Sequence, residues 1–358
     1  MTKFTDAWCP RKPVRLVVRR PSDSPLGRAY DMKILWLSGV KDTPDGRDCC
    51  PVGRCHPGEH LPSAIRSGAI CTILVQTLCT APLAGKAQSI YGCSRGVSMS
   101  RILWINPVTI DSYDEPIGAE LRKEANPETR IDVCSLPPVP GFEGPQHLEW
   151  NALEAVVAGP TIGVVRWARQ QGYDAAVIGC FYDPFLRAAR EVAGPMAVTA
   201  PAEACLHIAS TVGERISILV GRKKWIPEMH ENVVKYGFGD RLASFRELGM
   251  SVSEFQADPA RTEERILEEA RLAVSQDRAD VVVLGCTIEF GFYRRAQENV
   301  GVPVIDAITA PIRYAEFLAS LSRHGWSTSP GLGYDPVPEA ELSWIPVVVP
   351  RLSLDPRP

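Results

Sequence analysis

Cys180 and Cys286 stand about a hundred residues apart in nearly the same setting. The first sits in Ala-Ala-Val-Ile-Gly-Cys-Phe-Tyr-Asp-Pro and the second in Val-Val-Val-Leu-Gly-Cys-Thr-Ile-Glu. A thiol is an acid–base group whose thiolate is a small fraction at neutral pH and is enriched by favourable surroundings. Two opposed thiols suit one reaction in particular, inversion at a carbon next to a carbonyl. One thiolate takes the proton from one face, the other thiol returns a proton to the opposite face, and the two exchange roles in the reverse direction. The carbanion between these steps is an enolate, which needs hydrogen-bond donors fixed around its oxygen.

Each cysteine follows a short apolar run ending in Gly and precedes a segment able to start a helix. That pattern predicts a buried parallel strand delivering one side chain at its carboxyl end, where open α/β sheets bind ligands. From Met99 onward, apolar runs alternate with amphipathic stretches, as in a βα-wound sheet. Strands are predicted at 102–106, 129–134, 175–179, 197–199, 216–220, 251–256, 281–285 and 302–306. Helices are predicted at 115–125, 152–171, 184–192, 202–212, 227–236, 262–276, 290–298 and 310–321. The pattern runs twice, so the fold class is α/β with two similar half-domains presenting one thiol each to a shared cleft.

Local detail adds candidates. Asp183 is placed to cap a helix beginning at Pro184, which puts Cys180 just ahead of a helix N-terminus, where an anion is favoured. Thr287, beside Cys286, offers a hydroxyl and a backbone N–H to a substrate oxygen. Asn106, Thr109, Phe181 and the backbone after Cys180 complete the candidate substrate contacts, although Asn106-Pro107 also reads as a plain turn. Either cysteine alone reads equally as a small buried hydrophobe; the pairing favours one site. Cys134 and Cys205 lack the Gly-Cys context and are expected in the core. Glu203 and His207, four apart on a helix, are read as a surface pair, and no metal site is expected. No Gly-rich phosphate loop is present, so no nucleotide is expected.

The chain has 358 residues and a net charge of −3, which gives no reason to expect a nucleic-acid partner. Residues 1–98 differ from the rest, with 14 Lys and Arg against 7 Asp and Glu, and seven of the eleven cysteines. They are read as an atypical extension, a disordered leader or a mis-assigned start. Cys49, Cys50, Cys55 and His56 lack the paired Cys-x-x-Cys spacing of a zinc module. The most apolar stretch, 69–84, is too short and too polar to span a membrane, so no membrane partner is expected. Cysteines without disulfide logic suit a cytoplasmic location. Residues 326–358 are rich in Pro and Gly and are read as a wrapping arm or a disordered tail.

Gly179-Cys180-Phe181-Tyr182-Asp183-Pro184, followed by Leu186, Ala189, Arg190 and Glu191, resembles the first cysteine motif of hydantoin racemases in the aspartate/glutamate/hydantoin racemase superfamily. Leu284-Gly285-Cys286-Thr287 is similar to the second motif, and Ile105-Asn106-Pro107 to the family's opening Ile-Asn-Pro-Asn-Thr. The resemblance covers about residues 99–325. It implies two Rossmann-like lobes with parallel sheets related by a pseudo-two-fold, at 99–210 and 211–308, with a helix at 309–325 returning to the first lobe. The site would lie in the cleft between them, with Cys180 and Cys286 catalytic and no cofactor. A small-molecule substrate is implied, of hydantoin or amino-acid type, and a homo-oligomer is left open. Val108, Ile110-Asp111 and Ile288-Glu289-Phe290 depart from the family pattern, which leaves the substrate open. Three alternatives remain: a maleate-isomerase-like enzyme using the same cysteines covalently, a decarboxylase-like member, and a two-lobed binding protein without catalysis.

Overall fold

The computed structural model describes residues 99–138, 144–329 and 333–357. The extension at 1–98, with its seven cysteines, lies outside the described residues. The described chain begins as strand β1 (Arg101–Asn106) and continues through α1 (Asp114–Glu124), β2 (Arg130–Ser135), α2 (Asn151–Gln170) and β3 (Ala175–Ile178). It then forms α3 (Leu186–Ala193), β4 (Ala197–Thr199) and α4 (Pro201–Val212). A second series follows: β5 (Ile216–Val220), α5 (Ile226–Lys235), β6 (Leu242–Glu247), α6 (Val252–Phe255), α7 (Pro259–Ser275), β7 (Val281–Leu284), α8 (Tyr293–Val300) and β8 (Val304–Ile305). Helix α9 (Thr309–Ser322) and strand β9 (Arg351–Ser353) complete the chain.

The strands form two sheets, ordered β4-β3-β1-β2-β9 and β6-β5-β7-β8. Read in reverse, the second is β8-β7-β5-β6, the same winding as the first with β5 in the place of β1 and β7 in the place of β3. All pairings are parallel except β2 with β9. Two α/β lobes of like topology therefore carry the cysteine strands β3 and β7 at equivalent positions.

The strands are apolar because both sheet faces are covered. Along β1, Ile102 and Trp104 join a core that extends through the second lobe, while Leu103 and Ile105 face Val164, Val165 and Ala189 on the other side. Helix α9 packs on α4, β3 and β4, so it belongs to the first lobe. The tail also lies on that lobe. Arg166 donates to the carbonyls of Leu342 and Ile345, and β9 extends the first sheet beyond β2.

One predicted strand is a helix. Residues 251–256 contain α6, opened by a capping box in which the Glu254 carboxylate accepts the Ser251 N–H at 2.8 Å. The strand paired with β5 is instead β6, whose residues are all half-buried. Ser-Val-Ser-Glu carried the helix-start signature, and its alternation with apolar residues imitated a strand.

Candidate active site

A cavity of about 620 Å³, counted to its open mouth, lies at the carboxyl ends of β1, β3 and β7 and is lined from both lobes. Cys180 and Cys286 both line it. The glycine before each cysteine explains the shared motif. Gly179 donates its N–H to Ile105 O at 2.8 Å, and Gly285 donates to Leu219 O at 2.9 Å. A Cβ on Gly179 would sit 2.5 Å from the Trp104 indole nitrogen, and one on Gly285 would sit 2.4 Å from Leu219 O. Each strand end is thus pressed against its central strand too closely for any other residue.

After each cysteine the chain makes the same turn. Asp183 donates its N–H to Cys180 O at 2.9 Å, and Glu289 donates to Cys286 O at 3.1 Å. The backbone N–H of Tyr182 favours the Cys180 thiolate and that of Ile288 favours the Cys286 thiolate. These donors do not prevail. Burial pushes Cys180 well above the ordinary thiol value, and the charges of Glu154, Glu228 and Asp183 add to it. Burial pushes Cys286 up as well, with Glu289, Cys180 and Glu149 acting in the same direction. The helix N-terminus expected beside the Cys180 thiol is also not there.

The reason lies in Asp183. It does not cap a helix at Pro184, because Asp183 (φ 50°) and Phe185 (φ 57°) are left-handed and α3 starts only at Leu186. Its carboxyl turns instead to the start of α4, accepting the N–H groups of Ala202 and Glu203 at 2.7 Å each, and the Tyr236 hydroxyl of the second lobe at 2.8 Å. Burial pushes Asp183 up to about 7 despite these three donors.

The other expected contacts divide. Asn106, Phe181 and Thr287 line the cavity. Asn106 is already engaged: its Oδ1 accepts from Trp104 Nε1 at 2.8 Å and its Nδ2 donates to Asp114 at 2.6 Å. Thr287 Oγ1 lies 3.4 Å from Gly179 O and so ties one cysteine turn to the other. Thr109 is not among the lining residues. Its hydroxyl and N–H both donate to Pro145 O, at 3.2 and 3.1 Å, which anchors the segment that carries Gln146, His147 and Glu149 into the wall.

That segment was not legible as part of a site. Buried Glu149 accepts from Arg222 Nη1 at 2.9 Å and from the Val252 N–H at 3.2 Å, joining a first-lobe loop to the second lobe. Tyr113, Tyr182, Trp225 and Met229 also line the cavity. Only Tyr182 had a local signal, its place beside Cys180.

Glu203 is buried, not a surface residue; its carboxylate pairs with Arg190 at 2.6 Å and accepts from Thr199 at 2.9 Å, while His207 Nδ1 meets Glu203 O. Cys134 and Cys205 are fully buried. Among the described residues, no group of three or more His, Cys, Asp or Glu is gathered to hold a metal ion, and no helix is long and apolar enough to cross a membrane.

Residues 102–315 match the Asp/Glu/Hydantoin racemase family. The chain is 36% identical over 186 residues to a hydantoin racemase of Rhizobium meliloti, covering 52% of this chain and 75% of the relative. It is 33% identical over 235 residues to one of Paenarthrobacter aurescens, covering 65% and 96%. The solved allantoin racemase from Klebsiella pneumoniae superposes with a TM-score of 0.59 at 32% identity, covering 67% of this chain and 94% of that one.

Proposed function

The chain belongs to the Asp/Glu/hydantoin racemase family, and on that premise we propose that it is a cofactor-independent racemase inverting a carbon α to a carbonyl in a hydantoin-type ring. The observation that carries the reading is the placement of Cys180 and Cys286 at equivalent strand ends of two like lobes, on one cavity. One sulfur, as thiolate, takes the proton from the ring carbon, and the electron pair moves onto the adjacent carbonyl oxygen as an enolate. The opposing thiol gives its proton to the other face of that carbon and becomes the thiolate. Solvent exchange then restores the starting distribution.

The cavity wall favours an uncharged ring over a free amino acid. None of its lining residues is Lys or Arg, and Glu149 is already paired with Arg222. An α-carboxylate would lose water there without a Lys or Arg to replace it, which is costly. The four described cysteines are free thiols, the state a reducing compartment maintains, which supports a cytoplasmic location.

Proton NMR in deuterium oxide, with polarimetry alongside, tests the reading on single-enantiomer 5-substituted hydantoins, allantoin, aspartate and glutamate. The expected result is enzyme-dependent loss of the ring α-proton together with decay of rotation, absent for the amino acids. Cys180→Ser and Cys286→Ser should each lower the rate by about 10²-fold or more. Turnover of an alkene without solvent deuterium would assign the isomerase chemistry instead. Ligand binding without turnover, unaltered by both substitutions, would assign a binding protein.

A further inference from the structure

The tail turns apolar side chains outward. Residues 344–354 hold five of the twelve large apolar side chains that are exposed among the described residues: Trp344 (86%), Val347, Val349 (65%), Leu352 (37%) and Leu354 (60%). So dense an exposed apolar strip marks an interaction surface. The same stretch carries β9, which ends its sheet. Strand β2 pairs with one side of β9 and, among the described residues, no strand pairs with the other. An open strand edge is a template for another strand.

The two faces of β9 differ. Leu352 stands opposite Cys134, which lies in the core between the first sheet and α2, so Leu352 faces the α2 side, and Leu354 does so by alternation. The segment before β9 is on this side too: Val348 packs against that core and donates its N–H to Gly163 O at 3.2 Å. Arg351 and Ser353 point the other way, to the start of α1. Arg351 lies 3.5 Å from Asp111, and Ser353 Oγ donates to Glu115 at 3.3 Å. The side chains of Arg351 and Glu115 both remain largely exposed.

A strand with this pattern is complementary to a copy of itself. Antiparallel pairing of β9 with β9 about a two-fold axis sets Leu352 beside Leu352 of the second copy. It sets Arg351 opposite Ser353 of the second copy, next to the Glu115 which that serine holds. The charged contact forms twice, because two-fold contacts are reciprocal. Leucines thus meet on the α2 side of the joined sheet, and opposite charges meet on the α1 side.

We propose that the free edge of β9 pairs with the same edge of a second copy of this chain, joining two first-lobe sheets into one across a two-fold axis. A pair of three-residue strands is too small to hold a dimer alone; the apolar strip from Trp344 to Leu354 adds the area. Strand β9 lies outside residues 102–315, the part that matches the family. The interface therefore belongs to the tail and is independent of the chemistry at Cys180 and Cys286.

The test is the mass in solution of the full chain, by sedimentation or light scattering, for the wild type, Arg351→Glu and Glu115→Arg at one concentration. Each reversal sets like charges against each other across the axis and should lower the mass at least twofold. Mixed together, the two variants should recover the wild-type mass, because each then offers the other the opposite charge at both contacts. A β9 merely detached from its own sheet would not recover on mixing. Leu352→Cys, which stands against itself at the axis, should form a disulfide-linked pair under mild oxidation where the wild type does not. A wild type with the mass of one chain overturns the inference and leaves the strip to residues 1–98 or to a different protein. Reversals that keep the wild-type mass, or a mixture that stays dissociated, overturn it as well.

Discussion

Asp183 and Glu289 hold equivalent posts in the two lobes, each three residues after its cysteine with its N–H returned to that cysteine's carbonyl. Their carboxyls differ. Asp183 has three close donors, whereas the Glu289 carboxyl is favoured only by the backbone N–H groups of Cys286 and Gly285 and has no side-chain partner. Burial raises both, Asp183 to about 7 and Glu289 well above its ordinary value. A carboxyl raised in this way contributes stability that is fully present below its unfolded pKa, near 4, and is lost as pH rises toward its folded pKa. For Asp183 the window is about pH 4 to 7; for Glu289 it extends higher.

Glu289→Gln replaces a neutral buried acid with a neutral amide of the same shape. From about pH 4.3 up to its raised folded pKa this glutamate makes the wild type lose stability as pH rises, and the variant is spared that loss. Chemical denaturation at pH 5, 6.5 and 8 should show the variant gaining on the wild type. Parallel curves would mean that the carboxyl is ionised in the fold.

Asp183→Asn should behave differently. The amide cannot accept from both α4 N–H groups, so the variant loses about 1–3 kcal/mol at neutral pH. Its stability should nonetheless vary less between pH 4 and 7 than that of the wild type. Thermal melts across that range read both effects.

Both thiols are pushed up by burial, so at neutral pH the resting site holds two thiols and little of the thiolate–thiol pair that reacts. For racemisation, kcat/KM should rise about tenfold per unit between pH 6 and 8. A flat profile would show that a thiolate is already formed in the resting site.

Glu149→Gln loosens the tie between the 145–149 segment and the second lobe. Arg222 is partly exposed, with 42% of its side chain accessible, so the pair is worth about 1 kcal/mol. KM should increase several-fold with kcat little changed. A fall in kcat at constant KM would instead place Glu149 in the chemistry.

Gly285→Ala forces a methyl group toward the Leu219 carbonyl, which as backbone in a central strand has little freedom to move. The variant should lose about 1–3 kcal/mol of stability. It should also lose racemisation more sharply than stability, because the strand end carrying Cys286 must shift.

Most of the fold was legible because buried parallel strands announce themselves as unbroken apolar runs, as Val281–Leu284 does, and because Gly-Cys occurs at equivalent strand ends. The strand read at 251–256 failed where a helix cap and an alternating pattern shared the same residues. Asp183 was misread because a cap was sought in its own segment, while its carboxyl serves α4, which begins at Pro201. His147, Glu149 and Trp225 carried no signal. They reach the cavity from connecting segments whose placement depends on tertiary contacts, such as Thr109 with Pro145.

The first lobe is completed only by α9 and β9, drawn from beyond the second lobe in the chain. During synthesis, β5 to β8 emerge as one uninterrupted stretch and can assemble as soon as they clear the ribosome. The sheet begun at Arg101 must wait for its last strand until the whole second lobe has been made. The second sheet is thus drawn from one unbroken run of sequence, whereas the first is stitched together from segments on either side of it.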